Sequence, residues 1–124
     1  MVNPELKDRR RAQKESLLFR ELSQLFMRLT IDDSKLAGLT LNRVALSKNK
    51  SSVTLYFYIP GGPEAFKERK DALVLYKPSL RKALSQAIPA RYTPELVFAY
   101  DHLFEKQTKV DTLLEQIKKE RSSS

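Results

Sequence analysis

Of its 124 residues the chain has no cysteine and a single histidine, His102. Without cysteine there is no disulfide framework and no thiolate chemistry, a composition that suits a reducing compartment. With one imidazole and no thiolate, a metal site would have to be all oxygen, and Asp32, Asp33 and Asp101 do not form a recognisable ligand loop. No stretch approaches the roughly 20 apolar residues of a membrane helix, and the first residues lack the apolar run of a signal peptide. Gly-x-Gly-x-x-Gly, Walker-type and nucleophile-elbow sequences are missing as well. The chain is therefore expected to be no enzyme, with no cofactor, metal, small-molecule substrate or membrane partner. His102 reads as a surface residue at a strand end.

Positive charge is what the chain does have. Lysine and arginine number 23 against 15 aspartates and glutamates, a formal net charge of +8. That balance favours nucleic acid or another anionic partner, and it says nothing about fold. The length suits one domain that buries roughly two thirds of its unfolded surface.

The stretch from Pro78 to Asp101 organises the rest. Leu80, Ala83, Leu84, Ala87 and Ile88 fall at helical spacing, and Pro78 suits a first turn. Leu96, Phe98 and Tyr100 alternate with Val97 and Ala99 as a strand does. Pro89 and Pro94 block helix continuation between the two. From Ala72 to Pro94 there is no carboxylate, yet Lys77, Arg81, Lys82 and Arg91 lie there.

Taken in order, residues 1–10 read as a mobile basic arm. The cluster Arg9, Arg10 and Arg11 is either a solvated helix start or a grip on phosphate. A first helix is predicted over 8–29, with Leu18, Leu22, Leu25, Phe26 and Leu29 as its stripe. Residues 31–38 read as a loop. Two strands follow, carrying Leu39, Leu41, Val44 and Leu46, then Val53, Leu55, Phe57 and Ile59. The odd step from Leu41 to Val44 predicts a bulge near Asn42-Arg43. Residues 48–51 read as a hairpin turn, which makes these strands antiparallel. A second helix is predicted over 64–76, breaking at Tyr76-Lys77-Pro78-Ser79 into the next one with a sharp bend. After the third strand, 102–107 reads as a connection. Val110, Leu113, Leu114 and Ile117 then mark an amphipathic helix over 108–121, and 122–124 reads as a disordered tail. The order predicts an α+β fold, α-β-β-α-α-β, with a three-stranded sheet covered by helices and an extra C-terminal helix. Periodicity leaves the place of the third strand open.

Several of these motifs resemble the ribosome-binding factor A family. Arg91-Tyr92-Thr93-Pro94-Glu95-Leu96-Val97-Phe98 with Asp101 is similar to its Arg-x-x-Pro-Glu-Leu-x-Phe-x-x-Asp signature. Arg11-Ala12 resembles the opening helix, Val44-Ala45-Leu46-Ser47 the first-strand end, and Val53-Thr54-Leu55-Tyr56-Phe57 the second strand. The resemblance implies a KH-like domain of the second topological type, here over 11–107, with two helices meeting at a kink. Ordinary KH domains clamp nucleotides with a Gly-x-x-Gly loop between those helices. The family replaces that loop with small residues, and this chain has Tyr76-Lys77-Pro78 in their place. Asp33-Ser34 stands where the family usually has Asp-Pro. Both departures mark a divergent member.

The resemblance also implies a cytoplasmic ribosome biogenesis factor. Its partner would be the free, immature small subunit and its rRNA. It would assist rRNA processing near the 5′ end and leave before translation. Charge and fold together nominate Arg9, Arg10, Arg11, Lys77, Arg81, Lys82 and Arg91 as RNA contacts, made to phosphates rather than bases. The chain is expected to act as a monomer. Two alternatives stand beside this reading: a KH-type module for other RNAs, and a protein-interaction adapter whose charge serves solubility.

Overall fold

The computed structural model describes residues 4–49, 51–87 and 94–122. The elements run α1 (Pro4–Asp32), a 3-10 turn (Ser34–Leu36), β1 (Thr40–Leu46), β2 (Ser52–Tyr58), α2 (Gly62–Leu75), α3 (Lys77–Ala87), β3 (Glu95–Tyr100) and α4 (His102–Ser122). This is the α-β-β-α-α-β order with an added helix. The sheet order is β1-β2-β3. The outer strands flank β2 differently: β1 pairs with it antiparallel and β3 parallel. The crossover through α2 and α3 is what makes the parallel partner possible.

The bulge is present. Leu41 pairs with Phe57 and Arg43 with Tyr56, which leaves Asn42 as the extra residue. Its effect is to restore phase. Leu41, Val44 and Leu46 all turn to the core despite their odd spacing, and Arg43 turns outward over the Tyr56 ring at 3.9 Å. At the hairpin end Asn49 Oδ1 accepts from the Ser47 and Ser51 hydroxyls and from the Ser51 N–H. Lys50 of the predicted turn lies outside the described residues.

Phe57, on the central strand, is the hub of the core. Its ring lies 5.1 Å from Phe26 of α1, 6.3 Å from Phe66 of α2 and 5.9 Å from Phe98 of β3. Leu18, Leu22 and Phe26 form the buried stripe of α1, and Leu80 and Leu84 that of α3. Gly61 and Gly62, with φ of 109° and 82°, turn the chain from β2 into α2 through a region that side chains disfavour.

Element ends differ from the sequence expectations in three places. Helix α1 begins at Pro4, not near residue 8, so Arg9, Arg10 and Arg11 lie within a helix; proline suits a first turn. The loop expected over 31–38 contains the last turn of α1 and the 3-10 turn. The 3-10 turn is capped at its start, because Asp33 Oδ1 accepts from the Lys35 N–H at 2.9 Å. The connection expected over 102–107 is helix: α4 starts at His102, straight after β3. Asp101 makes this possible, since its Oδ1 accepts from the Phe104 N–H at 3.1 Å as an N-cap does.

Candidate nucleic-acid interface

The joint between α2 and α3 is one residue, Tyr76. Its N–H donates to Leu73 O at 3.0 Å, closing α2, and its carbonyl accepts from Leu80 N–H at 3.0 Å, opening α3. Pro78 sits in the first turn of α3, where no N–H is needed. The bulk of Tyr76 is directed at the end of α1, where its hydroxyl donates to Asp33 Oδ2 at 2.6 Å. Tyr76 thus serves at the joint by reaching out of it.

Leu80 and Leu84 fix one face of α3 in the core and leave Arg81 and Lys82 exposed, with Lys77 half-exposed at the first turn. Lys77 Nζ donates to Glu95 Oε1 at 2.8 Å, across to the start of β3. That hydrogen bond, then the Lys77 charge and the Arg81 charge, hold the Glu95 carboxyl below the ordinary glutamate range. Lys77 is therefore the direct partner of this carboxylate, and the Arg81 charge, one turn on, acts on it more weakly. Lys82 stands beside them on the exposed side of α3.

The α1 cluster lies on a different helix from this group. Arg9 and Arg10 are exposed, and Arg11 pairs with Glu15 at 3.8 Å. Glu15 Oε1 also accepts from the Leu46 N–H, at the last residue of β1. Ser51 O accepts from the Glu95 N–H at 2.9 Å. Arg11 and Lys77 thus sit at the same end of the sheet, the hairpin end, beside β1 and β3 respectively. Arg91 lies outside the described residues.

Sequence reading did not find two features. Lys48 is exposed on the hairpin at that same end, where its turn position hid it as a candidate contact. Glu95 was visible as a motif residue, but its role as counterion to Lys77 spans the whole of α3 and leaves no local signal. Among the described residues no group of three or more His, Asp or Glu could hold a metal, and no helix is long and apolar enough to cross a membrane. His102 is exposed, edge-on to Tyr100 at 4.9 Å.

The family model "Ribosome-binding factor A" matches residues 10–114. A ribosome-binding factor A from Synechococcus sp. is 34% identical over 117 residues, covering 94% of this chain and 85% of the relative. Among solved structures, the crystal structure of ribosome-binding factor A from Thermus thermophilus is similar with a TM-score of 0.61. It is 29% identical and covers 73% of this chain and 94% of that one. A homology model of the Thermus thermophilus protein, fitted into the cryo-EM map of a 30S complex, matches with a TM-score of 0.53 and 28% identity. It covers 68% of this chain and 88% of that one. A bent helix pair over a β1-β2-β3 sheet, the Pro-Glu-Leu strand and a match along most of the sequence place this chain in the ribosome-binding factor A family.

Proposed function

We propose that the chain binds the free, immature small ribosomal subunit through rRNA phosphates. There it assists late rRNA maturation and folding near the 5′ end, and it leaves before translation. One copy acts per subunit, in the cytoplasm, and no reaction is catalysed. The observation that carries this reading is the cationic group at the joint between α2 and α3, where Lys77 is held by Glu95 and Arg81 and Lys82 are exposed on the next turn of α3. Membership of a family named for ribosome binding supplies the partner, and a Thermus thermophilus relative has been fitted into a 30S complex.

The joint carries no glycine loop, so the device that clamps and splays single strands is missing. What remains is cationic side chains on a rigid helix, which suit the phosphate surface of folded rRNA. Arg9, Arg10 and Arg11 extend the same charge along α1, and Arg91 belongs to the acid-free segment leading into β3.

The test is sucrose-gradient co-sedimentation with free small subunits, large subunits and assembled ribosomes, repeated over a range of salt. Binding is expected to the free small subunit alone. With about five phosphates neutralised, log affinity falls against log salt with a slope of about −3.5 to −4.5. Equal affinity for short single-stranded oligomers would replace this reading with a general RNA-binding module. Subunit binding untouched by Arg81→Glu, Lys82→Glu and Arg91→Glu together would replace it with a protein adapter.

A further inference from the structure

The buried residues of each strand turn toward α1, α2 and α3, so their alternates Arg43, Ala45, Thr54, Tyr56, Val97 and Ala99 share the other face of the sheet. The register sets Arg43, Tyr56 and Ala99 in one row and Ala45, Thr54 and Val97 in the next. The start of α4 covers one end of this face, where Phe104 packs against the Tyr58 ring at 4.7 Å. Every side chain from Lys109 to Arg121 is exposed, so the helix does not lie over the remaining rows.

Arg43 is held on this face from two sides. Its Cζ lies over the Tyr56 ring, 3.9 Å from the centroid, and its Nε is 3.4 Å from Asp101 Oδ2. Asp101 is itself fixed, buried and accepting from the Phe104 N–H. The Arg43 side chain nevertheless stays 46% exposed. With one plane of the guanidinium against the tyrosine and Nε against the carboxylate, what remains open is the other plane and the Nη edge. The neighbours Ala45, Thr54 and Ala99 are short and leave the floor around it flat. Among the described residues, the carboxylates of this face are already engaged: Asp101 by Arg43 and Phe104, and Glu95 by Lys77.

We propose that the Tyr56–Arg43 stack is a platform for one unpaired nucleobase of RNA, which lies on the open plane of the guanidinium while the Nη edge takes its phosphate. A flat, delocalised cation accepts a planar ring on its free plane and an anion at its edge. A nucleotide presents both. A base inside a duplex does not, because its neighbours already cover its two planes, and an acidic peptide matches the edge alone. The inference rests on the RNA-binding reading for its ligand class and deepens it. Phosphate contacts from α3 position the protein and read no base. The face behind them adds a contact that requires a base free of the duplex.

Two measurements on the full chain test it. In the first, adenosine 5′-monophosphate and ribose 5-phosphate are titrated separately, and NMR follows the Arg43 Nε–H and the Tyr56 ring. The nucleotide is expected to shift both signals saturably, and the sugar phosphate to leave the Tyr56 ring unmoved. Equal shifts from the two ligands, or none from the nucleotide, overturn the proposal. In the second, small-subunit affinity is read over a salt series for Arg43→Lys, which keeps the charge and loses the plane. Binding is expected to weaken about tenfold with an unchanged salt slope. A variant that binds like the parent overturns the platform while leaving the RNA-binding reading in place. A parent that ignores the small subunit but takes the nucleotide at Arg43 overturns that reading and keeps the platform. Circular dichroism melts show whether Arg43→Lys is folded, and if it is not, the nucleotide titration decides alone.

Discussion

The Tyr76 hydroxyl and the Asp33 carboxylate, 2.6 Å apart, tie the joint between α2 and α3 to the end of α1. The hydrogen bond from Tyr76 holds the Asp33 carboxyl below the usual aspartate range, helped by the Lys35 N–H. In return, bonding to Asp33 raises the Tyr76 phenol. A depressed carboxyl stabilises the fold above its unfolded pKa and loses that contribution as pH falls through the folded value. A raised phenol stabilises below its unfolded pKa and loses the contribution as pH rises through the folded value. Tyr76→Phe removes both. The Tm gap between the two proteins is expected to be widest near neutral pH and to close in strong acid and strong alkali. Melts across the pH range check this, and a constant gap would count against the bond.

Glu95 is the counterion of Lys77, and the Arg81 charge acts on it as well. Glu95→Gln leaves both cations without it. Small-subunit affinity is expected to rise, and the salt slope to steepen by about 0.7 to 0.9 for one further phosphate contact. The same salt series of gradient binding reads it. Weaker binding would mean that Glu95 positions Lys77 for RNA and does not compete with RNA for it.

Asp101, only 2% exposed, joins three elements. Its N–H donates to Phe57 O at 2.7 Å, Oδ1 caps α4, and Oδ2 lies 3.4 Å from Arg43 Nε. Asp101→Ala is expected to cost about 1–2 kcal/mol from the lost cap. Urea denaturation measures the cost. Hydrogen exchange should quicken at the Leu103, Phe104 and Glu105 amides first, because the lost acceptor served that turn.

Deleting Asn42 tests the bulge. Without the extra residue, either Leu39 and Leu41 or Val44 and Leu46 must turn away from the core. Exposing two such side chains is expected to cost about 3–6 kcal/mol. A deletion variant with the unfolding midpoint of the parent would show that β1 can shift register freely.

The bulge was legible because strand period is strict: Leu41 and Val44 cannot both face a core at their spacing unless one residue is added. The stripe of α1 was legible for the same kind of reason, and the Pro-Glu-Leu strand by its alternation. Three features were not. The parallel pairing of β3 depends on a crossover whose direction periodicity does not encode. The start of α4 hides in 102–107 because its helical signal is a capping carboxylate, not an apolar repeat. Of the nominated cations, α3 holds Lys77, Arg81 and Lys82, whereas Arg9, Arg10 and Arg11 belong to α1. Nothing local in sequence distinguishes the two situations.

Because β2 is the middle strand and its parallel neighbour comes last, a ribosome making this protein must extrude all of α2 and α3 before β2 acquires its second partner. Until Tyr100 has emerged, one edge of the central strand and the Phe98 side of Phe57 remain open. The nascent chain is therefore exposed to misassociation for most of its own synthesis, and completion of the Glu95–Tyr100 segment is the event that commits it.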